Sequence, residues 1–136
     1  MKEQEIVSLI RHRLEQAQTA LDDARFLLEG DRSPQGIVNR AYYAMFYAVL
    51  ALLQKIGKVP SKHAGVISLF DTEFVVKGGF SREFSKDLHK AFELRQVSDY
   101  KTLRPITKDK AQETLDSAIR FVEAVKSYLG ESGGEQ

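Results

Sequence analysis

Apolar residues in the first thirty positions recur at Val7, Ile10, Leu14, Ala17, Leu21, Ala24 and Leu28, alternating steps of three and four. That spacing places one narrow stripe along a long helix. Ala111, Leu115, Ala118, Val122, Val125 and Leu129 repeat the pattern near the other end of the chain. Two matched stripes predict near-antiparallel packing in a bundle, the stripes serving as core rather than as partner-binding surface. Between them the breaks are legible. GDRSP stops the first helix and offers Ser33 as an N-cap with Pro34 behind it. IGKVPS ends the second, KGGFS separates a short third from a fourth with Ser81 as cap, and LRPIT precedes a fifth capped by Thr107. No strand-like alternation persists. The expectation is an all-α, up-and-down bundle of about five helices, one domain over residues 1–130 with a flexible polar tail over 131–136.

The second helix is apolar on more than one side. Tyr42, Tyr43, Phe46, Val49, Leu50 and Leu53 make a bulky face, and Ala41, Ala44, Ala48 and Ala51 line the opposite one. A helix apolar nearly all round is central or lies at a subunit interface. The sequence therefore predicts a homodimer or larger homo-oligomer using this region, with burial inside one chain as the alternative. A polar strip of Asn39, Arg40, Tyr43, Tyr47 and Gln54 runs along the same helix. It reads either as a hydrogen-bond network for buried tyrosines or as a groove wall where rings and a guanidinium meet a base and a phosphate.

Composition narrows the classes. Twenty Lys and Arg against 19 Asp and Glu give a net charge of +1, which argues against binding driven by blanket phosphate neutralisation. The absence of cysteine removes disulfide, thiolate and zinc-finger chemistry. His12, His63 and His89 lack ligand spacing, so no metal and no cofactor is expected. The N-terminal segment carries charges of both signs and no apolar run of signal-peptide type. The longest apolar block, Ala41 to Leu53, is 13 residues, too short for a bilayer span. A cytoplasmic protein without membrane association is expected.

The candidate chemistry lies in ELRQVSDYK, Glu93 to Lys101. Phe84, Leu88, Ala91 and Phe92 share a helical face with Arg95 and Asp99, so Arg95 is expected to be partly buried and to need a partner, for which Asp99 is nearest. Lys62 and His63, at the predicted start of the third helix, could hold a phosphate or simply be solvated. Lys108, Lys110, Arg11, His12 and Arg13 read as solvated faces.

NRAYYAMFYAVLALL (Asn39 to Leu53), KHAGVISLF (Lys62 to Phe70) and LRQVSDY (Leu94 to Tyr100), followed by a closing helix, resemble the HEPN domain, in particular short stand-alone prokaryotic members. The resemblance covers nearly the whole chain. It implies a dimerising helical bundle, often encoded beside a minimal nucleotidyltransferase in a toxin–antitoxin-type pair, with a nucleotide or RNA as ligand. Many members are metal-independent ribonucleases whose active site is an arginine followed a few residues later by a histidine. Arg95 matches that arginine, but Tyr100 stands where the histidine is expected, and no histidine follows His89.

RNA cleavage by a 2′-hydroxyl needs a base and an acid, and a phenol with an ordinary pKa of about 10 is a poor base near neutrality. Asp99 could be a base, with Arg95 steadying the phosphate. His89 precedes Arg95 by six residues, about 9 Å along the helix axis and roughly 120° around it, and is no simple replacement. Three readings follow. The first is a non-catalytic or weakly catalytic protein binding a nucleotide, RNA or a partner nucleotidyltransferase through Asn39, Arg40, Tyr43, Tyr47, Lys62 and His63. The second is a ribonuclease toxin using Arg95 with Asp99 or Tyr100, and the third a helical scaffold without ligand.

Overall fold

Ser33 and Thr107 set the starts of two of the three longest helices. In the computed structural model, which describes residues 2–99 and 105–130 (side chains of 97–99 excepted), Ser33 Oγ accepts from the Gly36 N–H at 3.0 Å. Thr107 Oγ1 accepts from the Lys110 N–H at 3.1 Å. Each cap satisfies a backbone donor that has no partner within its helix. The order is α1 (Glu3–Glu29), α2 (Pro34–Lys55), α3 (His63–Phe70), α4 (Arg82–Asp99) and α5 (Lys108–Leu129). Gly130 closes α5 at φ 79°, a left-handed conformation that a residue without Cβ adopts without strain. Among the described residues there is no strand, and the architecture is the all-α bundle of five helices.

One feature was not legible in the sequence. Beyond Phe70 the chain continues helically but widens into a single π turn, Asp71–Val75, where the Val76 N–H reaches the Asp71 carbonyl at 2.8 Å. Such turns recur at functional sites.

α2 is the centre of the bundle and packs against each of the other four helices. Eleven of its 22 residues are buried, including every alanine of the small face. The small face is thus enclosed by the chain itself. The bulky face divides. Tyr42, Val49 and Leu53 are fully buried, whereas Tyr43, Phe46, Tyr47 and Leu50 are only half-buried. α2 is also longer than its 13-residue apolar block. Among the described residues it alone is long and apolar enough to cross a membrane by length and composition, but 61% of that window is buried against other helices, as in a core helix.

The α1 stripe holds from Leu14 to Ala24, joined by Ala20. It fails at its start, where Val7 is exposed. α5 buries Ala111, Leu115, Ala118, Val122 and Val125 as its spacing predicts, and Phe121 besides. Phe121 meets Phe70 at 5.2 Å and Phe84 at 5.9 Å between ring centroids, in a cluster with Phe74, Phe80 and Tyr128 that closes one end of the core. Lys126 donates to Gln18 Oε1 at 2.8 Å, fixing α5 against α1.

Phe121→Ala is expected to cost about 3–5 kcal/mol, as a fully buried ring leaves a cavity that rigid neighbours cannot fill. Ser33→Ala is expected to cost about 1 kcal/mol through loss of the cap. Urea denaturation at neutral pH measures both, and equal midpoints for the two variants would contradict this packing.

Candidate functional site

Three elements meet on the half-buried side of α2. α2 supplies Tyr42, Tyr43 and Phe46, α4 supplies Phe92 and Arg95, and the first turn of α3 supplies His63. The Arg95 guanidinium carbon lies 5.3 Å from the Tyr43 ring centroid and 5.8 Å from that of Tyr42. Both distances are within cation–π range. Arg40 approaches Tyr43 as well, at 5.3 Å, and its Nε donates to Asn39 Oδ1 at 3.2 Å. Tyr43 therefore carries two guanidinium groups, one from its own helix and one from α4.

His63 is turned inward. Its ring stacks on Phe46 at 4.3 Å with a 15° interplanar angle and faces Phe92 at 6.4 Å. Its Nδ1 is 2.7 Å from the Tyr42 hydroxyl. When Tyr42 is the donor, the imidazole proton sits on Nε2, facing away from the phenol. Burial first, and the Arg95 charge second, push the His63 pKa below its ordinary value and favour the neutral ring. Burial pushes the ionisation of Tyr42 well up, opposed by Arg95, so the phenol keeps its proton.

The candidates read from the sequence are partly regrouped. Arg95, a catalytic candidate in the sequence, comes together with Tyr43 and His63 of the binding set. Lys62 stays exposed at the N-terminal boundary of α3 while its neighbour turns in. Arg40 and Tyr47 also line a groove of about 360 Å³ against His12, Glu15, Gln16 and Thr19 of α1. His12 borders this groove and is exposed, as expected of a solvated face. Asn39 holds Arg40. The Asp99 side chain and Tyr100 lie outside the described residues, and with them the expected Arg95–Asp99 pair. Tyr42, Phe46 and Phe92 were read only as packing residues, yet they form the floor of the site. The paired tyrosines of AYYAMFY were the one signal for this in the sequence.

A second cluster lies on the other side of Phe92. Asp71, at the head of the π turn, accepts from Ser85 Oγ at 2.7 Å and meets His89 Nε2 at 2.7 Å. His89 is therefore tied to α3 rather than to Arg95. Among the described residues, no group of three or more His, Cys, Asp and Glu side chains could hold a metal ion.

The sequence profile of the HEPN domain matches residues 10–128. A UPF0332 protein of Thermotoga maritima is 36% identical over 121 residues, covering 89% of this chain and 91% of the relative. A Methanocaldococcus jannaschii protein that bears the name "Putative toxin MJ0605" is 36% identical over 118 residues, 87% of either chain. A UPF0332 protein of Archaeoglobus fulgidus is 32% identical over 124 residues, 88% of this chain and 94% of the relative. The matched span runs from the middle of the first helix to the end of the fifth and includes every residue of the aromatic and guanidinium cluster: the chain belongs to the HEPN domain family.

Proposed function

We propose that this chain is the HEPN partner of a toxin–antitoxin-type pair and that it binds a phosphate of a nucleotide or RNA at Arg95. The observation that carries this reading is the Arg95 guanidinium seated over Tyr42 and Tyr43 beside His63. A guanidinium held against aromatic faces is pre-ordered in direction, and its planar fork matches two oxygens of a phosphate. Arg40 on the same tyrosine adds a second cation. Half-exposed Tyr47 offers a face on which a base can stack. The name of the M. jannaschii relative supports the toxin–antitoxin setting, and the resemblance supports a minimal nucleotidyltransferase as partner.

The homodimer belongs to the same proposal. Tyr43, Phe46 and Leu50 form a continuous half-buried stripe on α2 that a second copy would cover. Covering it would place the two Arg95 sites near one another.

One observation favours ribonuclease activity as a second reading. His63 brings to Arg95 an imidazole that the LRQVSDY segment lacks. In the tautomer in which His63 Nδ1–H donates to the Tyr42 oxygen, Nε2 is free to accept a proton from a 2′-hydroxyl, with Arg95 stabilising the phosphorane charge. The departing oxygen still needs an acid, which one imidazole cannot supply in the same step. Binding is therefore the reading the geometry favours.

Arg95→Ala is expected to weaken nucleotide or RNA binding about tenfold or more and to lower the slope of log K against log[salt] by about one. Arg95→Lys should recover part of the affinity, as a point charge without the fork. Calorimetry and anisotropy titrations measure this, and unchanged affinity in Arg95→Ala would sink the reading. RNA cut in EDTA by wild type, but by neither Arg95→Ala nor His63→Ala, would move the conclusion to the ribonuclease.

The histidine also predicts a pH dependence. With its folded pKa depressed, His63 binds a proton more readily in the unfolded chain. Its contribution to stability is present above the ordinary imidazole value of about 6.5 and is lost as pH falls from there through the lower folded value. Wild type should therefore lose stability on acidification through this window more steeply than His63→Gln. Urea midpoints across pH compare the two, and NMR titration of the His63 ring should give a midpoint below 6.5.

A further inference from the structure

The π turn and α4 enclose a cleft of about 270 Å³ lined by Ala64, Ile67, Ser68, Asp71, His89 and Phe92. Its walls are apolar, from Ala64, Ile67 and Phe92, and its polar groups are Ser68, Asp71 and His89. Binding sites combine these features, with an apolar body for contact area and a few convergent polar atoms for orientation. The polar atoms have a definite sense. A carboxylate only accepts, so both the Ser85 hydroxyl and His89 Nε2–H donate to Asp71. Each Asp71 oxygen, having accepted one hydrogen bond, keeps a further lone pair. The rim of the cleft is therefore rich in acceptors.

The cleft also adjoins the Arg95 cluster. Phe92 lines it and at the same time stands 5.6 Å from Tyr42 and 6.4 Å from His63. Ala64 follows His63 directly in α3. A ligand with its phosphate at Arg95 thus has an apolar, acceptor-rimmed slot on the far side of one aromatic ring.

We infer that this α3–α4 cleft is a nucleobase subsite, with Phe92 and Ile67 against the base and Asp71 accepting from its edge, and that it selects guanine. The inference rests on the proposed phosphate site at Arg95 and names the base that accompanies that phosphate. Guanine presents two adjacent donors, N1–H and the exocyclic amine, to an acceptor pair. Adenine and cytosine present an amine beside an acceptor, and uracil presents one N–H between two carbonyls. Against a carboxylate, each base acceptor in place of a donor is a repulsive contact that must be relieved by losing water without replacement. Ser85 and His89 hold the Asp71 carboxylate in place at the head of the π turn.

The test is titration of the intact chain with GMP, AMP, CMP, UMP and inorganic phosphate. GMP should bind at least about tenfold tighter than UMP, the scale of a paired base contact. Ser68→Trp, at an exposed position on the cleft rim, should fill the slot and bring GMP and UMP to equal affinity while leaving inorganic phosphate unchanged. Asp71→Asn should lower the GMP preference too, with circular dichroism and the urea midpoint confirming that both variants fold. Four nucleotides of equal affinity, all dependent on Arg95, would overturn the subsite and leave the phosphate site standing. A GMP preference surviving Ser68→Trp would overturn it as well. Failure of every nucleotide and of phosphate to bind would overturn both proposals.

Discussion

Burial of α2 is the constraint on which the rest of this protein depends. A helix with apolar side chains on nearly every side must be surrounded, and four helices are arranged to do so. Alanine on the small face permits neighbouring backbones to approach closely, because interaxial distance is set by the side chains at the contact. The bulky face then cannot be closed to the same degree. Its fully buried residues belong to the core and its half-buried ones to the site, and Tyr42 belongs to both. Its ring is enclosed while its hydroxyl reaches His63.

That double role ties the chemistry to packing. A phenol buried to this extent needs a hydrogen-bond partner, and the first turn of α3 supplies one. The same contact draws the imidazole from the helix surface onto Phe46. Arg95 meets the other side of the tyrosine pair from α4. Charge and aromatic faces are thus brought together because α2 needs cover on that side. The effect on His63 follows, since lost solvation and a neighbouring positive charge both oppose a second cation.

Two aromatic clusters make the distinction between core and site concrete. Phe70, Phe74, Phe80, Phe84 and Phe121 pack with Tyr128 at one end, and among the described residues no guanidinium lies over these rings. Tyr42 and Tyr43 at the other end carry Arg95, and Tyr43 also carries Arg40. Composition does not separate them, because both are drawn from Phe and Tyr on amphipathic helices. The difference is whether a long cationic side chain on an adjacent element can reach the ring face, which depends on the rotation of α2 and α4 about their axes.

The sequence by itself determined the five helices, the Ser33 and Thr107 caps and most of the α1 and α5 stripes, since these depend on residues within a few positions of one another. Ser33 and Thr107 act as caps through bonds spanning three residues, and periodicity of three and four is a local property. It left α2 either central or at a subunit interface, the fold placing it at the centre of the bundle, and it set Arg95 on an apolar face. Tertiary structure alone decided that His63 turns inward to Tyr42, 21 positions away, and that Asp71 captures His89 and Ser85 across two elements. It decided too that Val7, on the same stripe, stays exposed. Those outcomes depend on where helices end and how they are rotated, and a single π turn is enough to change the rotation without a distinctive residue to announce it.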